Sequence, residues 1–388
     1  MTAPDHSAAS AAATRWGLFA VIISSFIVGV GLGGMSPLLA LNLEAQRVPS
    51  LIIGLNSAMA PLGVIVGALL VPRLLNRCDP TAAMAGGMIV SALILLLFGL
   101  TTDLPLWFVL RFSFGLMVAL PWVVGEAWLN AAVGDAKRGR VMSYYAIALA
   151  TGFMLGPAIL YLTGRQGLLP FVIFAVMILA SAGPIWFARR GAPDLQIDRH
   201  MGAVGVIWIA PTIFVAGLVQ GLLDGGIFSF LPIYGARHGF DDALAALALA
   251  IFTAGNIVLQ LPLGYLLDKV NRRGMMIVAA ILMTVLPLFI PLLIDQLVAL
   301  SVVLFLWGGV VWGSYTIALA MMGDRFKAGQ ITLVNATFVI VMEWGNLAGN
   351  PIAGVAIDLE DSYGLILYFV GCSSCLLLTA IWRGVGRD

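Results

Sequence analysis

The sequence predicts an all-α integral membrane protein, twelve transmembrane helices arranged as two similar six-helix bundles. Three observations lead there. Of the 388 residues, 61% are apolar and only 10% charged, less than half of the roughly 25% that a water-facing exterior carries. Stretches long enough to cross a hydrocarbon layer, about 20 to 25 residues each, recur twelve times. Glycine-bearing motifs of the first half return in the second. The 20 Lys+Arg and 19 Asp+Glu nearly cancel, which leaves no basic field for nucleic acid and no acidic tail.

The spans fall at 16–40, 51–74, 80–100, 104–130, 140–163 and 168–188, then at 205–231, 243–267, 274–294, 297–322, 330–355 and 363–382. Residues 1–15, rich in Ala and Ser, are expected to form a disordered tail. The first bundle is expected at 16–188, a linker at 189–204 and the second bundle at 205–383. The first span is too long for a signal-peptide core and no small-residue cleavage site follows it. With the N-terminus inside, sixteen Lys and Arg lie in inner segments and three, Arg47, Arg165 and Arg237, in outer ones. That bias places both termini and the linker in the cytoplasm.

Several motifs repeat at about half the chain length. Gly134-Asp135 returns as Gly323-Asp324, Gly152-x-x-x-Gly156-Pro157 as Gly345-x-x-x-Gly349-Asn350-Pro351, and Gly67 as Gly264, at offsets of 189, 193 and 197. Parallel halves of this kind rock about a site between them. The run Gly264-Tyr-Leu-Leu-Asp268-Lys269-Val-Asn271-Arg272-Arg273 resembles the inner-loop signature of the major facilitator superfamily, with Asn271 in place of the usual glycine. Its first-half counterpart, Gly67 to Arg73, has Val71 where the acid stands. Arg111-Phe-Ser-Phe-Gly115 and Gly152 to Pro157 resemble the family's fourth- and fifth-span motifs, the latter without its trailing glycine pair. Trp122-Val-Val-Gly-Glu126-Ala, followed by Lys137-Arg138-Gly139-Arg140, is similar to the YcaD-like branch.

That resemblance implies a monomeric secondary active transporter in the inner membrane. Its partners would be a small solute, protons and the lipid bilayer, with no cofactor and no nucleic acid. It implies an inner gate at Gly264, Asp268, Lys269, Arg272 and Arg273, where surface pairs worth up to about 1 kcal/mol each can bias conformations a few kcal/mol apart. These residues also serve to anchor topology.

Four ionisable residues lie inside the spans: Arg111, Glu126, Asp224 and Glu343. Each costs at least ~2.5–3.5 kcal/mol to insert centrally, so each faces the bundle interior or a wet cavity and is a candidate for proton coupling. Glu343 sits mid-span with Asn346 and Asn350 on the same face; it either exchanges protons or only holds helices together. Asp224, one turn from Gln220 and beside Gly221, Gly225 and Gly226, is either a hinge or cation contact in a loosened helix or a solvated residue at a cavity mouth. Arg111 and Glu126 lie fifteen residues apart, about 22 Å along the axis, and cannot pair. By resemblance Arg111 belongs to an element linked to proton movement in antiporters; otherwise it pairs with an outer acid such as Glu44. Glu126 is either a proton site or an inner-gate partner. Trp122, Trp312, Tyr315, Asn346, Gln220 and Asn256 are candidates to shape a substrate cavity. Trp16, Trp107 and Trp382, near span ends, are expected as interfacial anchors.

Other signals carry no chemistry. Gly29-x-Gly31-x-x-Gly34 has the dinucleotide spacing but lies in an apolar span with no preceding strand and no acid about 20 residues on, so close helix packing explains it better. Cys78, Cys372 and Cys375 form no zinc pattern or disulfide framework, and His6, His200 and His238 fall in tails or loops. The spans hold no Ser–His or Cys–His set for an enzyme. The expected function is proton-coupled export by antiport, with proton-coupled uptake as the alternative within transport and a non-transporting sensor or membrane enzyme as a distant one.

Overall fold

The structure, a computed structural model, describes residues 6–133, 135–191, 204–267, 269–326, 328–360 and 362–382, and these form helices joined by short turns, with no strand among them. The first six helices are α1 (His6–Ala45), α2 (Ser50–Leu75), α3 (Pro80–Leu100), α4 (Leu104–Ala132), α5 (Asp135–Thr163) and α6 (Leu169–Phe187). A short helix, Val204–Ile209, precedes α7 (Pro211–Arg237), α8 (Asp242–Leu267), α9 (Arg272–Val285), α10 (Leu297–Arg325), α11 (Ala328–Leu359) and α12 (Gly364–Trp382).

Among the described residues eleven of these are long and apolar enough to cross a membrane. The remaining one, α11, is 32 residues long and carries Glu343, Asn346 and Asn350. Polar residues at the turns start the helices. Asp79 accepts hydrogen bonds from the Thr81 and Ala82 amides at 2.9 and 3.1 Å, ahead of Pro80 at the start of α3. Asp103 caps α4 through the Leu106 amide, and Asn271 caps α9 through those of Arg273 and Gly274. Such caps satisfy amides that have no partner within the helix.

The ninth span, expected as one helix over 274–294, differs. The α-helix ends at Val285 and continues as 3-10 turns, Leu286–Phe289 and Pro291–Leu293. Pro287 and Pro291 cause this, since each lacks the amide hydrogen and crowds the preceding turn. Trp107 also departs from expectation. It is 2% exposed, donates from Nε1 to the Thr101 carbonyl at 2.9 Å and meets Phe98 edge-on at 5.5 Å. It is a core residue, whereas Trp16 and Trp382 are exposed.

The chain forms two compact units. The first comprises Met1–Gly34, Leu62–Gly156 and Gln166–Arg199; the second comprises Met35–Pro61, Pro157–Arg165 and His200–Asp388. In the first, α1 crosses α5 with Gly29 and Gly33 lying on the backbone of Leu149 to Phe153, and Gly152 and Gly156 on that of Phe26 to Gly34. The dinucleotide-like glycines of α1 are therefore a packing surface. Alongside, Gly63 of α2 lies on the backbone of Phe112 and Leu116 in α4.

The second unit repeats this plan. There α7 crosses α11, with Gly221 on the backbone of Met342 and Asn346 and Gly349 on that of Leu222. Helix α8 meets α10 where Gly255 lies on the Phe305 carbonyl and Gly308 on that of Phe252. Each pairing in one unit recurs six helices later in the other, as the sequence repeats imply. Gly67 and Gly264 match only in sequence. A β-carbon on Gly67 would strike Ala119 and Leu116, but one on Gly264 meets nothing within 4 Å.

Candidate functional site: the crossing of α7 and α11

Four of the expected site residues converge where α7 and α11 cross, inside the second unit. Without side chains at Gly221, Gly225, Gly345 and Gly349 the two backbones touch, and polar residues on the adjoining faces are driven together. On α7, Gln220 and Asp224 are one turn apart and the Gln220 Nε2 donates to Asp224 Oδ1 at 3.0 Å. On α11, Glu343 and Asn346 are one turn apart and their side chains are hydrogen-bonded. The two carboxylates lie within electrostatic reach of each other. Gln220 is fully buried, while Asp224 and Glu343 keep exposures of 9% and 7%. The glycines of α7 do not loosen it. The helix is continuous and almost wholly buried from Ile213 to Gly235, so close packing against α11 corrects both the loosened hinge and the solvated cavity-mouth position expected for Asp224.

A chain of hydrogen bonds runs from Ser229 to Glu343, each group donating toward the carboxylate. Ser36 and Ser229 hydroxyls are 3.1 Å apart, and Ser229 Oγ donates to Asn350 Oδ1 at 2.8 Å. Asn350 Nδ2 then donates to Asn346 Oδ1 at 3.1 Å and to the Asn346 carbonyl at 2.9 Å. With its oxygen engaged, the Asn346 amide presents N–H to Glu343. Among the described residues no Lys, Arg or His is ion-paired with Asp224 or Glu343, and nothing donates to the buried Gln220 Oε1.

Aromatic rings continue the same region. Phe338 covers Gly217, one turn before Gln220 on α7. Tyr315 of α10 is 5.3 Å from Phe338, and Trp312 is 6.2 Å from Tyr315. Asn256 is tied differently. Its Oδ1 accepts from Gln260 Nε2 at 2.8 Å, and Gln260 Oε1 accepts from Thr316 Oγ1 at 2.8 Å, which joins α8 to α10.

Arg111 and Glu126 belong to the first unit. Arg111 is buried at 4% exposure. Glu126 Oε1 accepts from Trp122 Nε1 at 3.0 Å and from the Tyr145 hydroxyl at 3.3 Å. An open crevice of about 510 Å³ is in this unit too, between α2 and α4 near Arg73 and Arg77, and none of the candidate residues line it.

At the expected inner loop, Arg272 Nη1 donates to Asp324 Oδ1 at 2.6 Å and to the Ala320 carbonyl at 2.8 Å, binding the end of α10. Lys269 lies 4.0 Å from the Tyr265 ring centre. Arg273 starts α9 beneath the Asn271 cap. Asp268 lies outside the described residues.

One cluster was not foreseen from the sequence. Arg237, at the end of α7, holds Glu44 with two nitrogens at 2.8 and 3.3 Å, Asp358 at 3.0 Å and Ser50 Oγ at 2.7 Å. Ser50 in turn donates to Asp358 at 2.6 Å. Glu44 is thus engaged by Arg237 rather than Arg111. The available signal was scarcity, for Arg237 is one of only three basic residues assigned to the outer segments. Charged hydrogen bonds of this kind contribute ~1.5–3 kcal/mol each, so Arg237→Gln is expected to destabilise the protein by about 2 kcal/mol, seen as a lower Tm in detergent. Arg237→Lys keeps the charge without the two-pronged grip on Glu44 and should recover only part. Identical melting of all three proteins would show that the cluster contributes nothing.

Comparison with known proteins gives this arrangement its family. The Major Facilitator Superfamily profile matches residues 18–350 and, again, 213–387. The chain is 25% identical over 383 residues to the uncharacterised MFS-type transporter YfkF of Bacillus subtilis (strain 168), covering 95% of this chain and 94% of that one. It is 24% identical over 358 residues to the uncharacterised MFS-type transporter YcaD of Salmonella enteritidis PT4 (strain P125109), covering 91% and 92%. Two solved structures share its fold. The nucleoside transporter NupG superposes with a TM-score of 0.71 at 12% identity, covering 97% of this chain and 100% of that one. A D-xylose-proton symporter superposes at 0.70 and 16% identity, covering 98% and 97%. Doubled helix crossings, motifs and family match agree: the chain belongs to the Major Facilitator Superfamily and is a multi-pass membrane transporter, not an enzyme.

Proposed function

We propose that the chain exports a small solute across the cytoplasmic membrane in exchange for protons, by alternating access of a site that includes the α7–α11 crossing. The observation that carries this reading is that Asp224 and Glu343, on the two crossing helices, lie within electrostatic reach of each other with no basic residue ion-paired to either among the described residues. Two such carboxylates repel when both are ionised. A proton relieves the repulsion, and so does a cationic group of a solute. The two occupants compete, and competition for one site in a rocking protein is exchange. Because the proton gradient points inward across a cytoplasmic membrane, exchange drives the solute out.

In this reading Asp224 and Glu343 bind the proton, with Gln220 and Asn346 orienting them. Trp312 and Tyr315 flank the solute, and Asn256 braces α8 against α10. Glu126 and Trp122 form a second polar locus, with Arg111 separate from it toward the other end of α4, and both serve the other half of the cycle. Gly264, Asp268, Lys269, Arg272 and Arg273 gate the cytoplasmic end, and the Arg237 cluster latches the opposite one. The sixteen-to-three distribution of basic residues supports both termini, and the 189–204 connection, in the cytoplasm.

Purified protein in proteoliposomes with a trapped pH-sensitive dye tests this. A panel of solutes is added outside, and the expected result is a proton efflux that only transported solutes elicit. Proton influx on solute addition would replace antiport by symport, and flux indifferent to an imposed pH gradient would reject proton coupling altogether.

A further inference from the structure

The donors and acceptors at the α7–α11 crossing do not balance, and the imbalance names a ligand. Each amide nitrogen of the nest already donates within it: Gln220 Nε2 to Asp224, Asn350 Nδ2 to Asn346, and the Asn346 amide to Glu343. The acceptors outnumber these bonds: the remaining oxygens of two carboxylates, and Gln220 Oε1, fully buried with no donor among the described residues. A buried acceptor left without a donor costs ~1–3 kcal/mol, so this amide oxygen marks a place where a donor belongs. A hydroxyl or amide ligand brings acceptors of its own and would add to the surplus. An ammonium group brings three donors, no acceptor and the missing positive charge. Among the described residues no three His, Cys, Asp or Glu side chains converge; a sodium ion taking the same oxygens is the outcome that the sodium chloride control below reads.

The neighbourhood describes the rest of the ligand. Phe338 lies on Gly217, one helical turn from Gln220, and Tyr315 and Trp312 extend the ring row at centroid spacings of 5.3 and 6.2 Å. Such a wall accommodates an apolar or aromatic body and attracts a nearby cation by its ring faces.

We infer that this nest binds the –NH₃⁺ head of a primary-amine solute, its three N–H groups directed to Asp224, Glu343 and Gln220 Oε1 and its apolar body laid against Phe338, Tyr315 and Trp312. The assignment deepens the proposed transport function and rests on it for the direction of movement. Binding itself is independent of that. A quaternary ammonium satisfies the charge but leaves Gln220 Oε1 unmet, so the nest distinguishes the two.

The test is equilibrium binding to purified full-length protein in detergent, by calorimetry and thermal shift. The probes are 2-phenylethylammonium, its N,N,N-trimethyl analogue and neutral 2-phenylethanol. The primary ammonium should bind at least tenfold more tightly than either other compound. Asp224→Asn should weaken it tenfold or more. Gln220→Leu removes the orphan oxygen together with the donor to Asp224; overall affinity falls for both cations, and the primary and trimethyl compounds should come to similar affinity, a ratio that serves if the Asp224 variant misfolds. Equal affinity for the alcohol, unchanged selectivity in Gln220→Leu, or the whole thermal shift reproduced by sodium chloride alone would each overturn the inference. Ammonium binding without flux in proteoliposomes would reject the transport reading and leave this one standing. Flux of other solutes with no ammonium binding would do the reverse.

Discussion

Glu343→Gln should abolish solute flux driven by a pH gradient while leaving solute-for-solute exchange measurable. The replacement is close to isosteric, and its amide oxygen still accepts from Asn346, so α11 keeps its packing on α7. What is lost is the ability to hold and release a proton. A carrier that cannot change its charge at this point has nothing to exchange for the solute, and gradient-driven flux should fall to the level of empty vesicles, about 100-fold or more below the unaltered protein. Exchange of labelled for unlabelled solute needs only binding and rocking, and should persist within about tenfold. Glu126→Gln is the comparison. Glu126 is held by Trp122 and Tyr145 in the first unit, and an amide there can keep both contacts through its oxygen. If Glu126→Gln removes the gradient response and Glu343→Gln keeps it, coupling belongs to the first unit and the roles given to Asp224 and Glu343 fail.

The fold was legible because the membrane imposes length. Each span is a block of about 20 or more apolar residues ended by a cap or a charge, as at Asp79, Asp103 and Asn271, and the glycine offsets exposed the doubling. The ninth span was read as one continuous helix because hydropathy cannot register that Pro287 and Pro291 break the hydrogen-bond ladder. Trp107 was misplaced because nearness to a helix end says nothing about which face it takes; its partner Phe98 is on the preceding helix. At the site, spacing alone paired Gln220 with Asp224 and Glu343 with Asn346, since both are local to a helix. Their meeting across two helices was not legible, because periodicity identifies a face and not the face opposite it. The same holds more strongly for Arg237, Glu44, Ser50 and Asp358, which come from four helices and are brought within 3.5 Å only by the fold.

Gly221→Val should prevent correct folding, and Gly264→Val should not, although Gly264 stands in the more recognisable motif. At Gly221 an added β-carbon would fall on the Met342 carbonyl and close to the Asn346 amide, both backbone atoms of α11. Overpacking in general costs ~1–3 kcal/mol because side chains can shift. Here the obstacle is a helix, so the cost should exceed about 3 kcal/mol, a loss large enough to unfold a marginally stable protein. The expected result is little or no monodisperse protein after detergent extraction. Nothing lies within 4 Å of a β-carbon at Gly264, and valine there should change Tm by no more than a few degrees. Any loss of flux in Gly264→Val would then report on gating instead of assembly. Gly221→Ala offers an intermediate. Those molecules that fold must hold α7 away from α11, which separates Gln220 and Asp224 from Glu343 and Asn346. Amine binding should therefore weaken further than stability does. Wild-type affinity in a destabilised Gly221→Ala protein would mean that the close crossing does not assemble the site.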